Sequence, residues 1–305
     1  FLSLLAYLFS TVLLVILFWP TLWRDPLINF KEALMNIFYF RWPGIVLYFG
    51  NYIKATALPW HYIPVWIIIT SPLTYTATFF IGYLLTLKSL LLGPVRFYLS
   101  RRDDLIFLVW ISLPMLIVFT LRPVLYDAWR QMFFIYPALL IFSLIGLEFL
   151  FKPVKSGFYR LDRIIVNVIL AALIAINLAN VLKFMVKYHP YQNVYFNMLA
   201  GKDMEAIKNS FELDYWGLSY RKALEYILGH DPDKAIKICV ANHPGRINAD
   251  MLELNDSKRL VYVKDINEAK YFLSNYRWHK EEYPYKNEFF AVKVNGAKIM
   301  VVYKL

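Results

Sequence analysis

Leu121-Arg122-Pro123-Val124-Leu125-Tyr126-Asp127-Ala128-Trp129-Arg130-Gln131-Met132-Phe133-Phe134-Ile135-Tyr136-Pro137 sets two arginines and one aspartate between two apolar runs, residues 105–121 and 132–151. A helix needs roughly 20 mainly apolar residues to cross a bilayer. Read as two spans, the runs leave the charged turn at the membrane surface, where polar chemistry and a lipid-borne substrate can meet. Pro123 fixes the backbone just after the first span, and Tyr126 and Trp129 are interfacial residue types. The same residues also serve widely as plain anchors of span ends, so spacing alone leaves anchor and binding site both open.

Composition agrees with a membrane chain: 59% of the 305 residues are hydrophobic, against about 45–50% in soluble domains. The first residues, Phe1-Leu2-Ser3-Leu4, already lie inside an apolar run with no basic leader or small-residue cleavage site, which reads as a cut through a larger membrane protein. The net charge is +11. Residues 1–184 carry 15 Lys and Arg against 7 Asp and Glu, a balance of +8, and the remainder 18 against 15, only +3. The basic excess belongs to membrane loops, and nucleic acid is not an expected partner. A single cysteine, Cys239, excludes an intrachain disulfide and reads as a small buried residue.

Outward from the anchoring turn, the expected architecture is an α-helical polytopic membrane domain over residues 1–184, with about five spans, followed by a small extracytoplasmic α/β domain over residues 185–305. The spans are 1–19, 61–87, 105–121, 132–151 and 164–182. An interfacial helix is expected near 27–40, and Pro72 should kink the second span. Basic loops at 88–104 (Lys88, Arg96, Arg101, Arg102) and 152–163 (Lys152, Lys155, Arg160, Arg163) face the cytoplasm by the positive-inside rule. Alternation then puts loop 21–60, the anchoring turn and the tail on the outer face.

In the tail, residues 211–228 read as a loop followed by a helix with Leu218, Ala223, Leu224 and Ile227 on one side. Strands are expected at 235–241, 259–263, 270–273, 289–294 and 297–303, the last two joined by the hairpin signal Asn295-Gly296.

The spans hold almost no ionisable groups, which counts against a proton- or ion-coupled pump. The five histidines show no ligand spacing and no glycine-rich phosphate loop is present; the cofactor is unknown, with a divalent metal left open. What remains is a set of outward loops with Arg24, Asp25, Arg41, Lys54, His61, Arg122, Asp127 and Arg130, rich in Trp and Tyr. Guanidinium groups suit phosphate and aromatic faces suit sugars and isoprenoids.

Several segments together resemble the GT-C type membrane glycosyltransferases, in particular bacterial and archaeal relatives of dolichyl-phosphate-mannose–protein mannosyltransferases. They are Trp19-Pro20-Thr21-Leu22-Trp23-Arg24-Asp25-Pro26, Leu58-Pro59-Trp60-His61-Tyr62-Ile63-Pro64, Tyr126-Asp127-Ala128-Trp129-Arg130-Gln131, His189-Pro190-Tyr191-Gln192 with Tyr195-Phe196-Asn197, Phe211-Glu212-Leu213-Asp214-Tyr215-Trp216-Gly217 with Ser219-Tyr220-Arg221, and Val301-Val302-Tyr303-Lys304.

The resemblance implies an integral protein of the bacterial or archaeal plasma membrane. It would move a sugar from a polyprenyl-phosphate carrier to an acceptor protein, lipid or glycan on the extracytoplasmic side. It implies donor phosphate and sugar contacts at Arg122, Asp127, Trp129, Arg130, Arg41, Trp60 and His61. The family's catalytic acidic residue lies in the first outer loop, expected before Phe1, so no general base is assigned here. Gln131 stands where the family motif usually continues with histidine. Two other classes remain: a multi-spanning transporter or lipid flippase, and a non-catalytic membrane scaffold whose tail binds a partner.

Overall fold

The computed structural model describes residues 2–39, 42–152 and 160–305; Arg41 and Lys155 lie outside them. Two compact units result, Phe1–Gly44 and Ile45–Leu305.

In the first unit, α1 (Leu2–Phe18) is an apolar helix of 17 residues. Trp23 folds back so that its indole N–H donates to Ile16 O and Leu17 O at 3.1 and 3.2 Å, occupying carbonyls that the helix end leaves open. A helix stands where one was expected near 27–40: α2 (Pro26–Tyr39), which begins on a proline whose missing N–H would be unpaired there anyway.

The second unit opens with a hairpin absent from the sequence reading, β1 (Ile45–Tyr48) and β2 (Asn51–Lys54). Helices α3 (Tyr62–Thr70), α4 (Leu73–Leu92), α5 (Pro94–Leu121), α6 (Tyr136–Phe151) and α7 (Arg160–Lys187) follow. Among the described residues four segments are long and apolar enough to cross a membrane: Leu73–Leu92, Pro94–Leu121, Arg130–Phe151 and Ile164–Lys187. The expected first span is the shorter helix α1.

Pro72 does more than kink the second expected span. It has no N–H to continue the helix and disfavours helical backbone at the residue before it. Ser71 is extended (φ −97°, ψ 151°), so α3 ends and α4 starts afresh. The segment expected as a basic loop at 88–104 is largely helical, with a non-helical residue only at Arg101 (φ −143°, ψ 34°) inside α5.

Helices α4 and α6 approach most closely, at glycines. A Cβ on Gly82 would sit 1.9 Å from Phe142 O, and one on Gly146 1.9 Å from Thr78 O. Small residues that let backbones meet are how helices associate where lipid removes the hydrophobic drive. Ser143 Oγ adds a hydrogen bond to Tyr75 O (2.9 Å), and the Asn177 side chain accepts from Thr74 on α4, joining α7 to it.

After α7 come α8 (Met204–Ser210), α9 (Ser219–His230), β3 (Ile236–Val240), β4 (Leu260–Tyr262), β5 (Tyr271–Ser274), β6 (Glu288–Val294) and β7 (Ala297–Lys304). The sheet order is β4-β3-β5-β7-β6, with β3 parallel to both β4 and β5 and the last two strands antiparallel. Tyr220, Ala223, Leu224 and Ile227 of α9 are fully buried along with Ile238, Leu273 and Val302 of the sheet. Cys239 of β3 is half-buried rather than buried, packed against the cluster of Phe272, Tyr276, Val301 and Tyr303.

Candidate functional site

The chain leaves α5 through Arg122 in the left-handed region (φ 45°), runs without regular structure to residue 126, and turns again at Asp127 and Ala128 (φ 56° and 60°). Left-handed backbone costs a non-glycine residue of order 1 kcal/mol or more. The loop after β5 repeats the pattern, with Tyr276 and Trp278 at φ 60° and 64° on either side of Arg277. Asp127 itself and its neighbours Ala128, Tyr276 and Trp278 around the contact are thus all strained. The strain aims two buried side chains at each other: an Arg277 Nη2 donates to Asp127 Oδ1, and Arg130 Nη2 lies 3.2 Å from Asp127 Oδ2.

Each carboxylate oxygen of Asp127 therefore faces its own guanidinium. Asp127 and Arg277 are nearly buried, whereas the Arg130 side chain is 33% exposed and stacks over the Tyr126 ring. Arg277 Nη1 also donates to Tyr215 O at 2.7 Å. Burial lifts the Asp127 carboxyl above the ordinary range, and the charges of Arg277 and Arg130 oppose it.

Glu212 lies beside this pair. Among the described residues neither of its buried oxygens has a hydrogen-bond partner of normal geometry. Burial pushes its carboxyl up to about 8, and the Arg277 charge and the nearby Leu47 amide offset only part of that. Two residues on, burial also raises the Asp214 carboxyl, but hydrogen bonds from Ser219, Asn193 and Leu218 work against it. Asp214 accepts from Leu218 N, Ser219 N, Ser219 Oγ and Asn193 Nδ2, and so fixes the start of α9 and the turn that carries Tyr215 and Trp216.

Trp129 closes the other side. Its indole donates to Thr70 Oγ1 at 3.0 Å, and Thr70 in turn donates to Trp66 O at 2.6 Å. Between these elements is a cavity of about 440 Å³ bordered by Trp129, Tyr136, Tyr195, Tyr215 and Trp216, with Ser71 and Asn193 in its wall. Ser71 Oγ and Asn193 Oδ1 are buried and have no protein partner among the described residues. Such atoms ask for a polar ligand or water. A second cavity of about 480 Å³ is almost wholly apolar and opens among α3, α4, α5 and α6 at Pro64, Phe79, Tyr83, Met115 and Leu139.

Of the residues expected at the site, Asp127, Trp129 and Arg130 come together. Arg122 is exposed at the end of α5 and has no ion-pair partner among the described residues. His61 hydrogen bonds Tyr48 OH (2.7 Å), and Trp60 packs on His61 and Phe119; neither side chain joins the Asp127 cluster. Gln131 pins the turn through Tyr126 O at 2.9 Å.

Arg277, Glu212, Thr70 and Tyr215 were missed. The signal for Arg277 was its place just past a strand of a parallel pair, the edge at which open α/β sheets present functional groups. Among the described residues no group of three or more His, Cys, Asp or Glu gathers as a metal site. No family model, curated protein or solved structure matches the chain.

Proposed function

We propose that this chain is the lipid-facing and outer part of a GT-C type glycosyltransferase. It would transfer a sugar from a polyprenyl-phosphate donor to an acceptor on the extracytoplasmic side. Five spans, α1 included, are part of this reading. Lys88, Arg96, Arg101, Arg102 and Lys152 lie at the helix ends opposite the Asp127 turn, which the positive-inside rule reads as cytoplasmic.

The observation that carries the proposal is the aromatic cavity with unsatisfied Ser71 Oγ and Asn193 Oδ1, bordered by the tryptophan next to Arg130. Aromatic faces and polar acceptors suit a sugar; the half-exposed Arg130 guanidinium, with Arg122 nearby in sequence, suits its phosphate. Asp127 orients Arg130, and Arg277 holds Asp127. The apolar cavity among α3–α6 has the chemistry of an isoprenoid chain. Transfer breaks the sugar C1–O bond, the carrier phosphate leaving with the bonding pair, and forms C1–O to the acceptor, whose hydroxyl proton passes to the released phosphate or to solvent. Charge develops on the leaving phosphate, where fixed guanidinium groups lower the barrier.

The buried carboxylates Asp127 and Glu212 lie in loops beyond the helices rather than mid-span. That placement argues against ion-coupled transport.

The test is transfer from a radiolabelled polyprenyl-phosphate sugar by the full-length protein. Arg130→Ala should lower the rate by about 100-fold, the usual effect of deleting one transition-state donor. Unchanged transfer at normal expression rejects the assignment.

A further inference from the structure

We infer that the segment joining β3 to β4, around residues 244–254, is a foot that rests in the headgroup and upper acyl layer of the bilayer beside the helices. This inference stands on the spans alone and is independent of any glycosyl transfer.

Two contacts orient the sheet over the helix ends. Past the C-terminal end of β5, Arg277 pairs with Asp127 on the turn between α5 and α6. At the β6–β7 turn, Asn295 Oδ1 accepts from Tyr188 OH (2.8 Å), one residue past α7. Both anchors lie on one edge of the sheet, so that edge faces the membrane boundary. The opposite edge, with Lys270 bound to Asp231 and Asp233, points away.

Strands β3 and β4 run parallel to β5, so their C-terminal ends lie on the membrane-facing edge as well. Gly245 is fixed there, because Tyr262 OH at the end of β4 donates to its carbonyl at 3.0 Å. In the strand order β4-β3-β5-β7-β6 the two anchors hold β5 and the β6–β7 turn. β3 and β4 are the outermost pair on the far side of β5, past the anchored strands.

The surface matches that place. Ile247, Met251 and Leu254 are exposed, Met251 by 59%. At the span ends, Met198 is 78% exposed next to Asn197, whose side chain donates to Ile68 O and Ser71 O, so the apolar boundary continues there. Across residues 244–259 Arg246, Lys258 and Arg259 balance Asp250, Glu253 and Asp256. Within 244–254 itself Arg246 stands against Asp250 and Glu253, so the foot docks by burying apolar surface and not by attraction to anionic headgroups.

The experiment places a spin label at Met251→Cys in the full-length protein carrying Cys239→Ser, reconstituted in lipid vesicles. Relaxation by oxygen, which concentrates in lipid, is compared with relaxation by a water-soluble nickel chelate. We expect oxygen to dominate at Met251→Cys and the chelate at Lys234→Cys, on the opposite edge, with no change between 0.1 and 1 M salt. Ile247→Cys gives the same reading should the first variant fail to fold. Dominance of the chelate at 247 and 251 overturns the inference. So does protection from both agents, which would mean that protein covers the patch, and so does release by salt.

Discussion

Arg277, on the loop after β5, and Asp127, on the turn before α6, form a buried ion pair across 150 positions of sequence. The pair ties the sheet domain to the membrane helices and also sets the orientation of Arg130. Removing one partner of a buried pair costs up to roughly 3–5 kcal/mol, and less for Arg277→Met, where Arg130 still faces Asp127. Arg277→Met and Asp127→Asn should each lower the unfolding midpoint of the full-length protein in detergent. The double variant should be destabilised by clearly less than the sum. Additive losses in a double-mutant cycle would mean that the two side chains act independently.

Glu212 makes stability depend on pH with a definite sign. Its folded-state carboxyl, at about 8, keeps a proton that an unfolded carboxyl near 4.5 has released. Its contribution is therefore greatest below pH 4.5 and falls as pH rises to 8, by up to roughly 1.4 kcal/mol per pH unit. Glu212→Gln should flatten the loss of thermal stability over that window. The same proton sets the charge of the site: two guanidiniums and Asp127 leave +1 while Glu212 is neutral and zero once it ionises. Binding of an isoprenyl phosphate should weaken above pH 8 in the native protein and not in Glu212→Gln. An unaltered pH profile in the variant would remove Glu212 from the account.

The contact between α4 and α6 tolerates no side chain at its glycines. Gly82→Val should abolish accumulation of folded protein, since even a Cβ there would meet Phe142 O at 1.9 Å. Thr86→Ser, on the same face, should be near neutral. Normal yield and thermal stability for Gly82→Val would contradict the packing.

Thr70→Val keeps the side-chain shape and deletes the acceptor for the Trp129 indole. We expect a loss of about 1 kcal/mol in stability, the net value of one such hydrogen bond with some penalty for the stranded N–H. Tryptophan fluorescence should shift as Trp129 loosens, and transfer should fall with it. A variant with native fluorescence and full transfer would show that this bond does not hold the cavity wall.

The parts of the fold governed by local chemistry were readable in advance. Alternation and Asn295-Gly296 marked β6, β7 and their turn, and apolar runs marked α5, α6 and α7. Where two local signals competed, the reading failed. Pro64 and Pro72 lay in one apolar run, and only the structure shows Pro72 separating α3 from α4. The hairpin of β1 and β2 was hidden in a loop because its strands are only four residues each, and its further bridge, from Tyr48 to Phe211, joins residues distant in sequence.

Asp127, Trp129 and Arg130 were legible at the site because they share one turn. Arg277 and Glu212 were not, since what makes them special is burial against a partner distant in sequence. Arg122 and His61 stand apart from the Asp127 cluster: the helix end exposes one, and the other hydrogen bonds Tyr48 OH.

The central claim is that the Asp127–Arg130–Arg277 cluster receives the phosphate of an isoprenoid carrier. Its most direct test is equilibrium binding of a short polyprenyl phosphate to the purified full-length protein, alongside the matching polyprenol. The account predicts saturable binding of the phosphate, weakened at least tenfold by Arg130→Gln, and much weaker binding of the alcohol. Equal affinity for phosphate and alcohol, or an Arg130→Gln variant that binds like the native protein, would contradict it.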